Sequence, residues 1–192
     1  VEEIVRRGHG VVVLDDLSMG HREFVPASVP FAKADLKDLE AVRAVFREHK
    51  ADAVMHFAAA SLVGESVLDP LKYYDNNVLA CVNLLKAMKE AHVDKLIFSS
   101  TAATFGEPER IPIEEDDRQQ PTNPYGWSKL MIERILRDHA KATRFSFVAL
   151  RYFNAAGAHV SAGFGEWHEP ETHLIPNILK VLTGKKKELE IF

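Results

Sequence analysis

Tyr125 and Lys129 stand four residues apart behind Asn123-Pro124, in a stretch whose apolar residues recur at helical spacing. An Asn followed by Pro caps and starts a helix, so both side chains project from one face about one turn apart. A lysine ammonium that close lowers a tyrosine pKa by stabilising the phenolate, which makes the phenol a usable acid/base nearer neutral pH. Two common residues at this spacing also fall on helix surfaces by chance, so the pair gains meaning only from its surroundings. Among these is Thr101, closing the β-rich run Phe98-Ser99-Ser100-Thr101. A hydroxyl beside a tyrosine can hold a substrate alcohol in place for proton transfer.

A second set of residues has the pattern of a nucleotide site. Asp15-Asp16 follows the buried apolar run Val11-Val12-Val13-Leu14. In a dinucleotide-binding sheet an acid at the end of the second strand accepts hydrogen bonds from the adenosine ribose, and its charge repels a 2′-phosphate, favouring NAD over NADP. An Asp after a strand is equally a turn former. Asp35-Leu36 ends the next β-rich run and Phe57-Ala58-Ala59 the one after; small residues at a strand's carboxyl end let a nucleotide approach the backbone. The glycine-rich phosphate loop belongs about 20 residues before the ribose acid. Gly8-His9-Gly10 is too late and precedes a strand, so the first strand and its loop are expected to precede Val1.

The elements that must position these residues follow from apolar periodicity. Strands are expected at residues 11–14, 31–36, 53–58, 95–100 and 145–152, and helices at 1–7, 39–49, 70–92, 124–139 and 174–183. Strand and helix alternate and the strands are continuously apolar, which predicts an α/β fold: a doubly wound parallel sheet covered on both faces. Residues 1–153 would form the dinucleotide-binding domain, incomplete at its start. Residues 154–192, opening on a Gly-, Ala- and His-rich loop, would begin a substrate-binding region.

The bulk properties exclude several classes. The chain has 192 residues, 46% of them hydrophobic, and a formal charge of -4, which gives no footprint for nucleic acid. Lys185-Lys186-Lys187 follows a helix end and reads as a solvated turn. The single cysteine, Cys81, lies on an apolar helix face. No run approaches the roughly 18 consecutive apolar residues of a membrane span. A cytoplasmic protein is expected. His159, His168 and His173 share one loop, but their spacing matches no compact ligand motif, so no metal is expected.

Longer stretches surround the chemical residues: His56-Phe57-Ala58-Ala59, Val63-Gly64-Glu65-Ser66-Val67, Pro70-Leu71-Lys72-Tyr73-Tyr74-Asp75-Asn76-Asn77-Val78, Asn123-Pro124-Tyr125-Gly126-Trp127-Ser128-Lys129 and Leu150-Arg151-Tyr152-Phe153-Asn154-Ala155-Ala156-Gly157-Ala158. In order and spacing these resemble the extended branch of the short-chain dehydrogenase/reductase superfamily, and within it the UDP-glucose 4-epimerase family. The resemblance implies a Rossmann-type NAD-binding fold and a UDP-sugar substrate, inverted at C4 through a 4-keto intermediate with NAD tightly bound.

It also implies roles for single residues. Thr101 would bond the sugar 4-hydroxyl, Tyr125 would take its proton, and Lys129 would bond the nicotinamide ribose. Ser61, Asn76 and Phe153 match cofactor positions; Asn154, His173 and Leu174 match substrate positions. A homodimer through the helices at 70–92 and 124–139 is a family expectation. Related dehydratases and decarboxylases carry an acid after the strand-end hydroxyl, where this chain has Ala102-Ala103. The alternatives are such an enzyme, an epimerase for another nucleotide sugar, or a non-catalytic NAD-binding protein. By the same resemblance residues 1–192 alone are expected to be inactive, lacking the phosphate loop.

Overall fold

Among the described residues five short β-strands alternate with helices, and the paired strands run parallel. The structure, a computed structural model, describes residues 1–159, 163–168 and 171–189. Two compact units are present, Val1–Phe153 and Asn154–Phe192.

The first unit opens with α1 (Glu2–Arg6), then β1 (Val13–Asp15), β2 (Phe31–Lys33), α2 (Leu39–Glu48) and β3 (Val54–His56). Its second half holds α3 (Val63–Leu68), α4 (Pro70–Tyr73), a π-helical segment Tyr74–Leu79, α5 (Ala80–Glu90), β4 (Lys95–Thr101), α6 (Pro124–Ala142) and β5 (Ser146–Tyr152). Helix starts are set by short acceptors. Asp38 Oδ1 takes the Ala41 N–H at 3.1 Å, and Asn123 Oδ1 takes the Gly126 N–H at 2.9 Å with Pro124 in the first turn.

Residues 70–92, read from periodicity as one helix, are α4, the π segment and α5, and α3 precedes them unforeseen. Tyr73, Asn77, Cys81, Leu84 and Met88 are buried at ordinary helical spacing across this stretch, so spacing alone does not reveal the π segment. Its effect is local and specific. Asn77, fully buried, accepts from Ala60 N at 2.8 Å and donates to Ala60 O at 3.0 Å and Ser128 Oγ at 2.9 Å.

The strands form two parallel sheets, β1-β2 and β3-β4-β5. Among the described residues no strand bridges β1 and β3; a doubly wound order places one between them. Coverage differs from expectation. One face carries the core: Leu96 and Phe98 of β4 pack with Val42 of α2, Leu84, Leu85 and Met88 of α5, and Ile132 and Leu136 of α6. On the other face Met55, Val148 and Leu150 are exposed, because the described helices cover only one side. Continuous apolar strands predict two covered faces but do not supply the second layer.

In the second unit, His159 and Phe164 form an antiparallel bridge, and α7 (Leu174–Leu182) begins after His173. No helix among the described residues is long and apolar enough to cross a membrane.

Candidate active site

Thr101 ends β4, and the chain then turns through a short 3-10 segment, Ala102–Thr104. Helix α6 begins against that turn. The contact depends on Gly126: a Cβ there would lie 2.7 Å from Ala103 O and 3.0 Å from Pro121 Cβ. Glycine therefore lets the first turn of α6 approach the backbone beyond Thr101, where the Thr101 hydroxyl comes near enough to the Tyr125 phenol to favour its ionised form. One turn on, Lys129 is 3% exposed and its Nζ donates to Ser99 O at 2.9 Å. Its ammonium lies 5.0 Å from the Phe98 ring centre and 5.9 Å from that of Tyr125. The three residues named for proton handling thus meet at the carboxyl end of β4.

The electrostatics depart from what spacing suggested. Burial raises the Tyr125 phenol above its ordinary value, and the Thr101 hydroxyl offsets this only in part. Lys129 is itself pushed down to about 8 by burial. Close spacing predicts mutual stabilisation of phenolate and ammonium, but desolvation dominates when both groups leave water. Other groups share this interior. Burial first and the Lys129 charge second lower His56 to about 3, so it stays neutral, and burial raises the Cys81 thiol to about 12.

The expected cofactor residues line the strand ends of the same unit. Asp15 ends β1, and its Oδ1 accepts the Leu17 N–H at 2.7 Å; Asp16 Oδ1 takes the Ser18 N–H at 2.8 Å. Both are turn formers here, which does not preclude a ribose contact. Asp35 beyond β2 makes a similar turn with Lys37 N at 2.8 Å, and Leu36 is half-buried beside it. Beyond β3, Phe57 is 57% exposed; Ala58 and Ser61 are exposed and Ala59 half-buried. Phe153, just past β5, is 73% exposed. Asn76 is half-buried on the π segment.

In the other unit, Asn154, His173 and Leu174 are exposed. His173 Nδ1 lies 2.8 Å from Glu171 Oε1, which also accepts the His173 N–H at 2.8 Å. Spacing predicted no grouping of the histidines, yet Glu166, His168 and His173 each bring one potential ligand atom within 4.8 Å of the others. His168 Nδ1 contacts the Glu166 carboxylate, so the grouping reflects carboxylate–imidazole pairing within one looped segment.

Sequence reasoning missed three contributors: Gly126, whose need shows only when the neighbouring backbone is placed; Asn77; and Glu133. Glu133 lies four residues beyond Lys129 and is fully buried. The i, i+4, i+8 series Tyr125, Lys129, Glu133 was the available signal.

Comparison with known proteins agrees with this geometry over the whole chain. The profile of the NAD dependent epimerase/dehydratase family matches residues 1–192. The UDP-glucose 4-epimerase of Lactobacillus helveticus is 50% identical over 192 residues, which are 100% of this chain and 58% of that protein. The Streptomyces lividans UDP-glucose 4-epimerase is 46% identical over the same shares. The chain thus spans a little over half the length of these relatives. Among solved structures, the Brucella ovis UDP-glucose 4-epimerase in complex with NAD superposes with a TM-score of 0.96 at 43% identity, covering 100% of this chain and 58% of that one. The Bifidobacterium longum enzyme in complex with NAD+ and UDP gives 0.90 at 39% identity, covering 97% and 58%. A parallel α/β sheet with a tyrosine–lysine helix set against a strand-end hydroxyl, matched from first residue to last, makes this chain a member of the NAD-dependent epimerase/dehydratase family.

Proposed function

We propose that the protein containing this chain is a nucleotide-sugar 4-epimerase that interconverts UDP-glucose and UDP-galactose with NAD. The observation that carries the reading is the meeting of Thr101, Tyr125 and Lys129 at one strand end. Similarity to the Lactobacillus helveticus and Bifidobacterium longum enzymes supports the substrate and the cofactor.

The strand-end residues fit a dinucleotide. Exposed Phe57 and Phe153 offer apolar surface to a flat ring, Ala58 and Ala59 leave the backbone approachable, and Asp15 stands at the end of β1 for a ribose. Asp16, Asp35, Leu36, Ser61 and Asn76 complete the cofactor set. Held by these residues, a bound NAD would supply a reversible hydride acceptor for the sugar C4.

The protein's own residues handle the proton. Thr101 holds the sugar 4-hydroxyl, and Tyr125 takes its proton and later gives it back. Lys129 bonds the nicotinamide ribose and supplies the positive charge that stabilises the Tyr125 phenolate. Asn154, His173 and Leu174 are assigned to the UDP-sugar. The turn Ala102–Thr104 presents alanines where a dehydratase needs an acid, which favours epimerisation over elimination. The reading includes a cytoplasmic enzyme, supported by the buried thiol Cys81, and a homodimer using the exposed Leu71 of α4, Leu79 of the π segment, and Trp127 and Met131 of α6.

The test is conversion of UDP-galactose to UDP-glucose by the full-length protein and its Tyr125→Phe variant. Turnover in the parent with a loss of about 10²- to 10⁴-fold in the variant is expected. A folded, NAD-loaded parent without turnover would reject this substrate pair.

A further inference from the structure

Glu133 has no place in the proton path, yet it is a fully buried acid whose carboxylate is saturated with donors. Oε1 accepts from Ser100 Oγ at 2.6 Å and Arg151 Nε at 3.0 Å; Oε2 accepts from Arg151 Nη2 and Arg137 Nη2, each at 2.8 Å. Burial alone would raise the pKa of this carboxyl, but the Arg151 and Ser100 hydrogen bonds, with the Arg151 and Arg137 charges, hold it below the usual carboxylate range.

The placement of these donors is specific. Ser100 and Arg151 are direct register partners on β4 and β5. Ser100 sits between Ser99, whose carbonyl holds the Lys129 ammonium, and Thr101, whose hydroxyl acts on the Tyr125 phenol. Arg151 is fixed in turn, donating to Glu115 O at 3.0 Å and lying 5.0 Å over the Phe105 ring. A lone buried acid would be destabilising, and a surface ion pair would give no such precision. Here one carboxylate ties the helix bearing Tyr125 and Lys129 to the two strand ends those residues work against.

The geometry points to Glu133 as a positioning residue for the epimerase reaction, acting through Ser100 to hold the carboxyl end of β4 at the spacing Tyr125 and Lys129 require. This rests on the functional reading above. Sub-ångström misplacement of an acid/base pair costs up to about 100-fold in rate, so loss of one link in the clamp should lower kcat by about tenfold while leaving KM for UDP-galactose nearly unchanged. A looser β4 end also weakens the influence of the Thr101 hydroxyl on Tyr125. The limb of the kcat–pH profile that rises with deprotonation of Tyr125 should then move to higher pH, by about half to one pH unit.

Ser100→Ala is the primary test, because it leaves the Glu133–Arg151 pair intact and keeps the core packed. Glu133→Gln and the double variant complete a cycle. The double variant should be no worse than the worse single one, since both act through one hydrogen bond. A Ser100→Ala protein with the parent's kcat and pH profile, whatever its melting temperature, would overturn the assignment and leave the cluster merely structural. Titration of Tyr125 by phenolate absorbance, taken against Tyr125→Phe, is read on the same proteins. If the parent does not turn over UDP-galactose, the functional reading fails, and an unmoved titration in Ser100→Ala would separately reject the clamp.

Discussion

Replacing Lys129 by Met should make the protein more stable at neutral pH while abolishing its activity. The ammonium is almost entirely buried, with the Ser99 carbonyl as its hydrogen-bond acceptor. A fall from a free lysine's 10.5 to about 8 corresponds, at about 1.4 kcal/mol per pH unit, to about 3 kcal/mol spent keeping the charge in the folded state at pH 7. Methionine fills a similar volume without that cost and forfeits the bond from the charged ammonium to Ser99, worth about 2 kcal/mol. A net gain of about 1 kcal/mol is expected at pH 7. The sign then reverses with pH. Because the folded pKa lies below the unfolded one, the parent regains stability as pH rises from about 8 to 10.5, whereas the Met variant has nothing to regain at this position. Guanidinium denaturation of both proteins, stripped of dinucleotide, at pH 7, 8.5 and 10 measures the difference. A Met variant less stable than the parent at pH 7, by an amount independent of pH, would refute the claim that burial governs this lysine.

The remaining predictions concern the supports of the site. Gly126→Ala forces a Cβ against Ala103 O and should cost about 1–3 kcal/mol of stability together with most of kcat; unchanged kinetics in thermal-shift and turnover assays would contradict it. Asp15→Asn keeps the turn bond to Leu17 but removes the charge, so titration calorimetry should show the preference for NAD over NADP falling by about tenfold or more. His56 is buried with its pKa depressed to about 3. Its contribution to stability is complete above about 6.5 and is lost as pH falls toward 3, by up to about 5 kcal/mol. In His56→Phe the acid-unfolding curve between those limits should flatten; equal slopes in the two proteins would reject the assignment.

Much of this fold could be read from residue order. Alternating β-branched runs and 3.6-residue patterns located every strand and most helices, and the Tyr125, Lys129 and Thr101 grouping followed from helix spacing and a strand end. What escaped was three-dimensional. Tyr73, Asn77, Cys81 and Leu84 are buried at ordinary helical spacing across the π segment Tyr74–Leu79, so periodicity reads one helix there, and the bonds of Asn77 to Ala60 and Ser128 emerge only with the placed backbone. Glu133 looks like any acid on an amphipathic helix until β4 and β5 place Ser100 and Arg151 against it. The shift of Tyr125 was read with the wrong sign because spacing reports the neighbouring charge and says nothing of the water removed. Glu166, His168 and His173 come within 4.8 Å of one another, a grouping that no linear ligand motif encodes.

The central claim is that Tyr125 moves the hydroxyl proton while the C4 hydrogen leaves and returns without meeting solvent. The most direct measurement is turnover of UDP-galactose carrying deuterium at C4 by the full-length protein in ordinary water. The account predicts UDP-glucose with the deuterium retained at C4, formed about 10²- to 10⁴-fold more slowly by Tyr125→Phe. Product formed with the deuterium replaced by solvent hydrogen would contradict it, showing that C4 is inverted by deprotonation and reprotonation at carbon.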